Sequence, residues 1–195
     1  TYTIDTQGIV SFYSPGNSDP DMRAALNAGR DVMAANVQFD DEIILDLLTK
    51  VDDDYSISDL AGTWHLNSIF TQQNDQPDNY GYDTGVFTIT GDGAFSGIMT
   101  DNKGNSWQET GTCTIDNQGI VSFYSPGNPA PDMQAVLSAG KDVMAANVQF
   151  NNQNILDIFI KVDSNYSISD LVGTWHLNSI FTPQNGQPDN FGYDT

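Results

Sequence analysis

Few residues in this chain are of types that do chemistry. His65 and His176 are the only histidines, and both sit in a copy of GTWHLNSIF, alternating with Trp64 and Leu66 or with Trp175 and Leu177. A histidine facing away from an apolar stripe, with no converging partner, reads as a surface strand residue, because catalysis and metal binding both need several groups at one point. Cys113 is the single cysteine, so no internal disulfide can form. The chain repeats itself at a spacing of 111 residues, and the counterpart of Cys113 is Tyr2, which argues against a catalytic or metal-binding thiol. The serines of FYSPGN and NYSIS lie in turn and linker contexts without a nucleophile-elbow pattern. The residues therefore predict no enzyme and no cofactor.

Carboxylates invite a metal test. Asp52-Asp53-Asp54 form one cluster, and Asp78 with Asn79 and Asp83 form another in a long polar stretch. Calcium needs six to eight converging oxygens, and neither cluster has the 12-residue calcium-loop pattern. The triad becomes Asp163-Ser164-Asn165 in the second copy, which speaks against a required site there. Asp78 and Asp83 recur intact as Asp189 and Asp194, so these four remain weak cation candidates within a solvated loop. Asn165-Tyr166-Ser167 is the single N-glycosylation sequon, a pattern that also arises by chance.

The elements that must position these residues follow from composition. Six Lys and Arg stand against 26 Asp and Glu, a formal charge of −20, which disfavours nucleic acid and anionic membranes as partners. Only Glu42 and Glu109 are glutamates, and aspartate favours turns over helix interiors, so the charge belongs to loops. Short alternating runs of Thr, Ser, Asn, Gln and aromatics point to an all-β chain. No apolar run approaches the roughly 20 residues of a membrane span, and no signal peptide is present. The opening at Thr1, inside a pattern repeated later, predicts a segment of a longer array with further repeats on both sides.

Thr1 to Thr84 aligns with Thr112 to Thr195 without a gap, and 63 of the 84 paired positions are identical. Changes fall mostly on polar positions, while Trp and Gly positions hold, as a shared core demands. One full repeat runs over 55–165; 1–54 carries the C-terminal strands of a first repeat, and 166–195 carries the first strand and loop of a further one.

Within the full repeat, Thr63 to Phe70 has the period-2 signature of a half-buried strand. GVFTIT and AFSGIMTD flank the Gly91-Asp92-Gly93 turn as a hairpin. DNKGN and DNQG are further turns, followed by SWQETGTCTID and IVSFYSP, and PGNPAPD is a loop because proline removes ladder donors. Asp132 and Gly140 could frame a short helix, but a hairpin of Met133 to Leu137 and Asp142 to Phe150 is the favoured reading. Ile155 to Val162 closes the repeat. Eight strands joined by tight turns predict an up-and-down antiparallel β-barrel, one per repeat. Its interior takes Trp64, Leu66, Phe87, Ile89, Phe95, Ile98, Trp107, Ile120, Phe123, Met144, Val148 and Phe150. The linker Lys50 to Gly62, with Tyr55 and Ile57 alternating, is expected to pair with a neighbouring barrel.

Gly62-Thr63-Trp64 at the head of such a meander resembles the glycine-x-tryptophan motif of lipocalin-like barrels. That resemblance implies a basic residue near the last strand covering the tryptophan, the place where Lys50 or Lys161 sits, with Trp64, Trp175, Lys50 and Lys161 as structural residues of a barrel end. DLxGTW, TDNKGNSW, GTCTID and AGKDVM together resemble tandem lipocalin-like repeats of large bacterial surface proteins, across the whole chain. The unit is shorter than a ligand-carrying lipocalin and stands in tandem. The expectation is a structural module of an extracellular or cell-surface filament, stalk or adhesin, its partners neighbouring copies joined head to tail. The alternative is a carrier of a small apolar ligand inside the barrel.

Overall fold

A computed structural model describes residues 1–39, 42–72, 81–150, 153–163, 166–173, 175, 177, 179–181 and 192–194. Two compact units divide the chain, one formed by Thr1–Lys50 and Ser167–Thr195, the other by Val51–Tyr166. Among the described residues the architecture is all-β, with one short helical turn in each unit.

In the first unit, β1 (Tyr2–Ile4), β2 (Ile9–Phe12), β3 (Met22–Leu26), β4 (Val32–Phe39) and β5 (Glu42–Thr49) form an antiparallel sheet in chain order. Aspartates make its turns, as the composition implies. Asp5 accepts bonds from the amides of Gln7 and Ile9 at 2.8 and 2.9 Å, and Asp21 ties down the proline loop by accepting from the Ser14 amide and from Asn17 Nδ2.

The second unit begins with α1 (Ile57–Leu60) and continues as β6 (Gly62–Gln72), β7 (Gly81–Ile89), β8 (Ala94–Asp101), β9 (Ser106–Ile115), β10 (Ile120–Tyr124), β11 (Met133–Leu137), β12 (Val143–Phe150) and β13 (Gln153–Lys161). These eight strands form a closed antiparallel barrel in which each pairs with the next and β13 pairs back to β6. The hairpin at Met133 to Phe150 is the favoured one rather than a helix; Lys141 turns it at φ 61°, and the equivalent Arg30 has φ 62°. In the first unit again, Ile168–Leu171 makes a 3-10 turn, and β14 (Ser179–Phe181) pairs with β15 (Gly192–Asp194).

The core lies inside the barrel. Trp64, Leu66, Phe87, Ile89, Phe123 and Met144 are buried as expected, Phe95 and Val148 pack against them, and Ile120 is half-buried. One of the inward assignments is corrected. Ile98 is 61% exposed, because Phe95, Gly97 and Met99 take the inner face of an unbroken strand and leave position 98 outside. Trp107 pairs with Met99 and so shares its inner face, yet stays 38% exposed. The neighbouring strand β10 pairs with β9 only over Thr112 to Ile115, so no wall covers Trp107 on that side. The side chain of Phe150 lies outside the described residues.

Candidate functional site

One end of the barrel is closed by the segment that precedes it. Ser56 and Asp59 form a capping box, with the Ser56 amide donating to Asp59 Oδ2 at 2.8 Å, and this starts the single turn of α1. The helical turn replaces the expected strand pairing of the linker and folds Tyr55, Ile57 and Leu60 onto the core of the barrel it leads into. Leu60 is fully buried and offers its carbonyl to Trp64 Nε1 at 2.8 Å.

Two lysines hold this cap. Lys161 Nζ lies 5.4 Å from the Trp64 ring centroid and donates to the Asp59 carbonyl at 2.8 Å. Lys141 Nζ bonds Asp59 Oδ2 at 3.1 Å and the Asp54 carbonyl at 2.8 Å, and stands 5.7 Å over the Tyr55 ring. Burial works against the charge of Asp59, but bonds from the Ser56 amide and Lys141 outweigh it and hold the carboxyl below its ordinary value. Lys141, Asp59 and Leu60 escaped notice in the sequence. Their signal was Ser-x-x-Asp before an apolar run.

Trp64 thus has the basic cover that the resemblance implied, from Lys161. Trp175 shows no such cover among the described residues. Trp175 is 71% exposed, and its Nε1 donates to the Leu171 carbonyl at 3.0 Å. Among the described residues β14 and β15 pair as a two-stranded sheet, and no barrel end is formed around Trp175. Lys50, which donates its amide to the Asp31 carbonyl at 2.6 Å, is exposed.

Deeper in the barrel, away from the cap, one inner row carries acid. Ser68 is registered with Asp157 on one side and Asp83 on the other, and Asp83 with Asp101. Asp157 is buried and accepts a short bond from Ser68 Oγ. Burial pushes the Asp157 carboxyl above its ordinary range, and the Asp83 charge adds to this. Burial and Asp101 likewise raise Asp83. Asp101 moves the other way, because Asn105 and the amides of its turn bond it. Asp83 is therefore not a loop residue, as the sequence suggested, but an inner-face position of β7.

Asp194 occupies the matching place in β15, registered with Ser179. Asp78, Asp189, Asn165 and His176 lie outside the described residues. Among the described residues, no group of three or more His, Cys, Asp or Glu side chains is arranged to hold a metal ion. His65 lines an open groove on the outer face of β6 to β9 with Asn67, Val86, Ile98 and Gln108. Cys113 is buried, donates to the Gly93 carbonyl at 3.3 Å, and has its thiol pushed up to about 11 by burial.

The barrel interior is aromatic. Phe123 stacks on Phe159 at 5.8 Å between centroids, and Phe87 and Phe95 meet them edge-on or tilted at 5.6 to 6.2 Å. Glycines make room for these rings: a β-carbon at Gly97 would lie 2.5 Å from Phe87, and one at Gly111 would lie 2.7 Å from Phe95. No family model, no curated protein and no solved structure matches the chain.

Proposed function

We propose that each 111-residue repeat is a structural bead in an extracellular or cell-surface polymer, a filament, stalk or adhesin, and that its barrel is lipocalin-like. The observation that carries this reading is the near-identity of the copies, 63 of 84 positions, with the same aspartate turns and the same strand registers in β1–β5 as in β9–β13. A polymer uses one interface again and again and so keeps its repeats alike. The cap supports it too. Because Tyr55, Ile57 and Leu60 belong to the barrel, the exposed linker shrinks to Val51–Asp54. The charge of −20 keeps such an array soluble.

The test is small-angle X-ray scattering on a polypeptide of three or more consecutive repeats. A rod-like distance distribution with regular bead spacing is expected; freely jointed beads overturn the ordered array. The Gly-Thr-Trp motif with Lys161 over Trp64 supports the second reading, a carrier of a small apolar ligand. Solvent extraction and mass spectrometry decide that one, since a stoichiometric lipid or pigment makes the barrel a carrier.

A further inference from the structure

Among the described residues, every carboxylate on strands β6–β9 and β13 takes an inward position. Asp83, Asp101 and Asp157 lie along one inner row, and Glu109, registered with Gly97, shares the inner face. The outward positions of the same five strands hold Thr, Ser, Asn, Gln, His65 and apolar residues, with no Asp, Glu, Lys or Arg among them. The chain as a whole has a formal charge of −20. One outer wall of the barrel is thus neutral in a strongly acidic molecule, and its middle is apolar. A single registered row, Ile160, His65, Val86, Ile98 and Gln108, crosses all five strands, and its Ile160, Val86 and Ile98 are 46, 49 and 61% exposed. Ile69 and Tyr82, paired across β6 and β7, add a second exposed apolar pair to the same face. All of these residues belong to the closed barrel, where each strand has two neighbours, so the wall is a finished surface and not an unpaired edge.

We propose that this wall is an interface between barrels, and that its occupant is the same wall of a second copy of this chain. Two copies that each carry −20 repel wherever their aspartate turns meet, and the neutral wall is the surface on which they approach without opposing charges. A basic partner is drawn to the turns instead. Because both copies present the same face, the contact is isologous and closes at a dimer. Five strands about 4.8 Å apart, each offering about eight residues of 3.3 Å, make a wall of roughly 600 Å². That falls short of the roughly 800 Å² per partner of a standard interface, so the contact is weak and reversible. The inference goes beyond the repeat-module reading, since it joins barrels of different chains side to side, where that reading joins repeats along one chain.

Sedimentation velocity on the 195-residue chain, from low micromolar to a few hundred micromolar and at low and high sodium chloride, tests this. A reversible monomer–dimer equilibrium is expected. High salt strengthens it, because screening removes the repulsion between acidic turns and leaves a neutral contact intact. The double variant Val86→Thr, Ile98→Thr keeps β-branched side chains at two exposed positions, so the barrel's unfolding transition holds as the folding control, while association weakens roughly tenfold or more. Association that salt weakens, or that persists undiminished in the double variant, overturns the proposal. A monomer across the whole range at both salts also overturns it, and assigns the wall to a partner other than this chain. None of these outcomes touches the repeat-module reading, which stands or falls on the scattering and extraction experiments.

Discussion

The same lysine occurs in two settings, and the difference gives a clean measurement. Lys161 loses a cation–π contact with Trp64 and a bond to the Asp59 carbonyl when cut to alanine, so Lys161→Ala costs the barrel about 1–2 kcal/mol in chemical denaturation. Lys50→Ala leaves the barrel transition where it was, because Lys50 lies outside that unit. Asp157 offers a pH test. Its carboxyl is raised in the folded state by burial and then by the Asp83 charge, so its contribution is present below the unfolded value and lost as pH rises through the folded one. Asp157→Asn therefore stabilises the barrel at neutral pH, and the gain shrinks as the pH falls into the carboxylate range. Urea titrations of both proteins at neutral and acid pH read the difference directly. A variant equal to or weaker than wild type at neutral pH contradicts the buried charge.

Among the elements, the strands were legible and the cap was not. Trp64, Leu66 and Ser68 alternate with His65, Asn67 and Ile69 so regularly that β6 has one possible inner face, and the Asp-Gly and Asp-Asn turns fix its neighbours. ILDIFIKV hides its polarity, because apolar residues occupy both faces and pattern alone gives no reason to place Asp157 inward. GYDT looked like loop for a related reason: its residues are polar, and only pairing with β6 reveals Asp83 as part of a strand. The linker was misjudged because alternation at Tyr55 and Ile57 suggested a strand, while the Ser56 and Asp59 capping box acts one turn at a time. The cap's weight can be measured. Leu60→Ala removes a fully buried side chain and is expected to cost about 2–5 kcal/mol, whereas Leu171→Ala, at the exposed equivalent position, changes stability by no more than about 0.5 kcal/mol.

At the scale of the whole molecule, one sequence has produced a closed and an open version of the same sheet, and stability follows closure. In the barrel every strand has two neighbours, Leu60 and Trp64 seal one end, and the four phenylalanines fill the middle. Among the described residues the β1–β5 sheet keeps the same turns and registers but ends in two edges, with Tyr2 and Ile4 exposed where Cys113 is buried and Ile115 is packed. Less apolar surface is withdrawn from water there, at roughly 25 cal/mol per Å², so the two units should not melt together. Calorimetry of the dilute chain is expected to show two transitions, and hydrogen exchange should assign them, with amides of β6–β13 protected well beyond those of β1–β5. Gly97→Ala sharpens the assignment. The added carbon meets the Phe87 ring inside the barrel, so the upper transition falls by the equivalent of about 1–3 kcal/mol while the lower one holds its temperature. A single cooperative transition displaced as a whole by Gly97→Ala shows instead that the open sheet borrows its stability from the barrel.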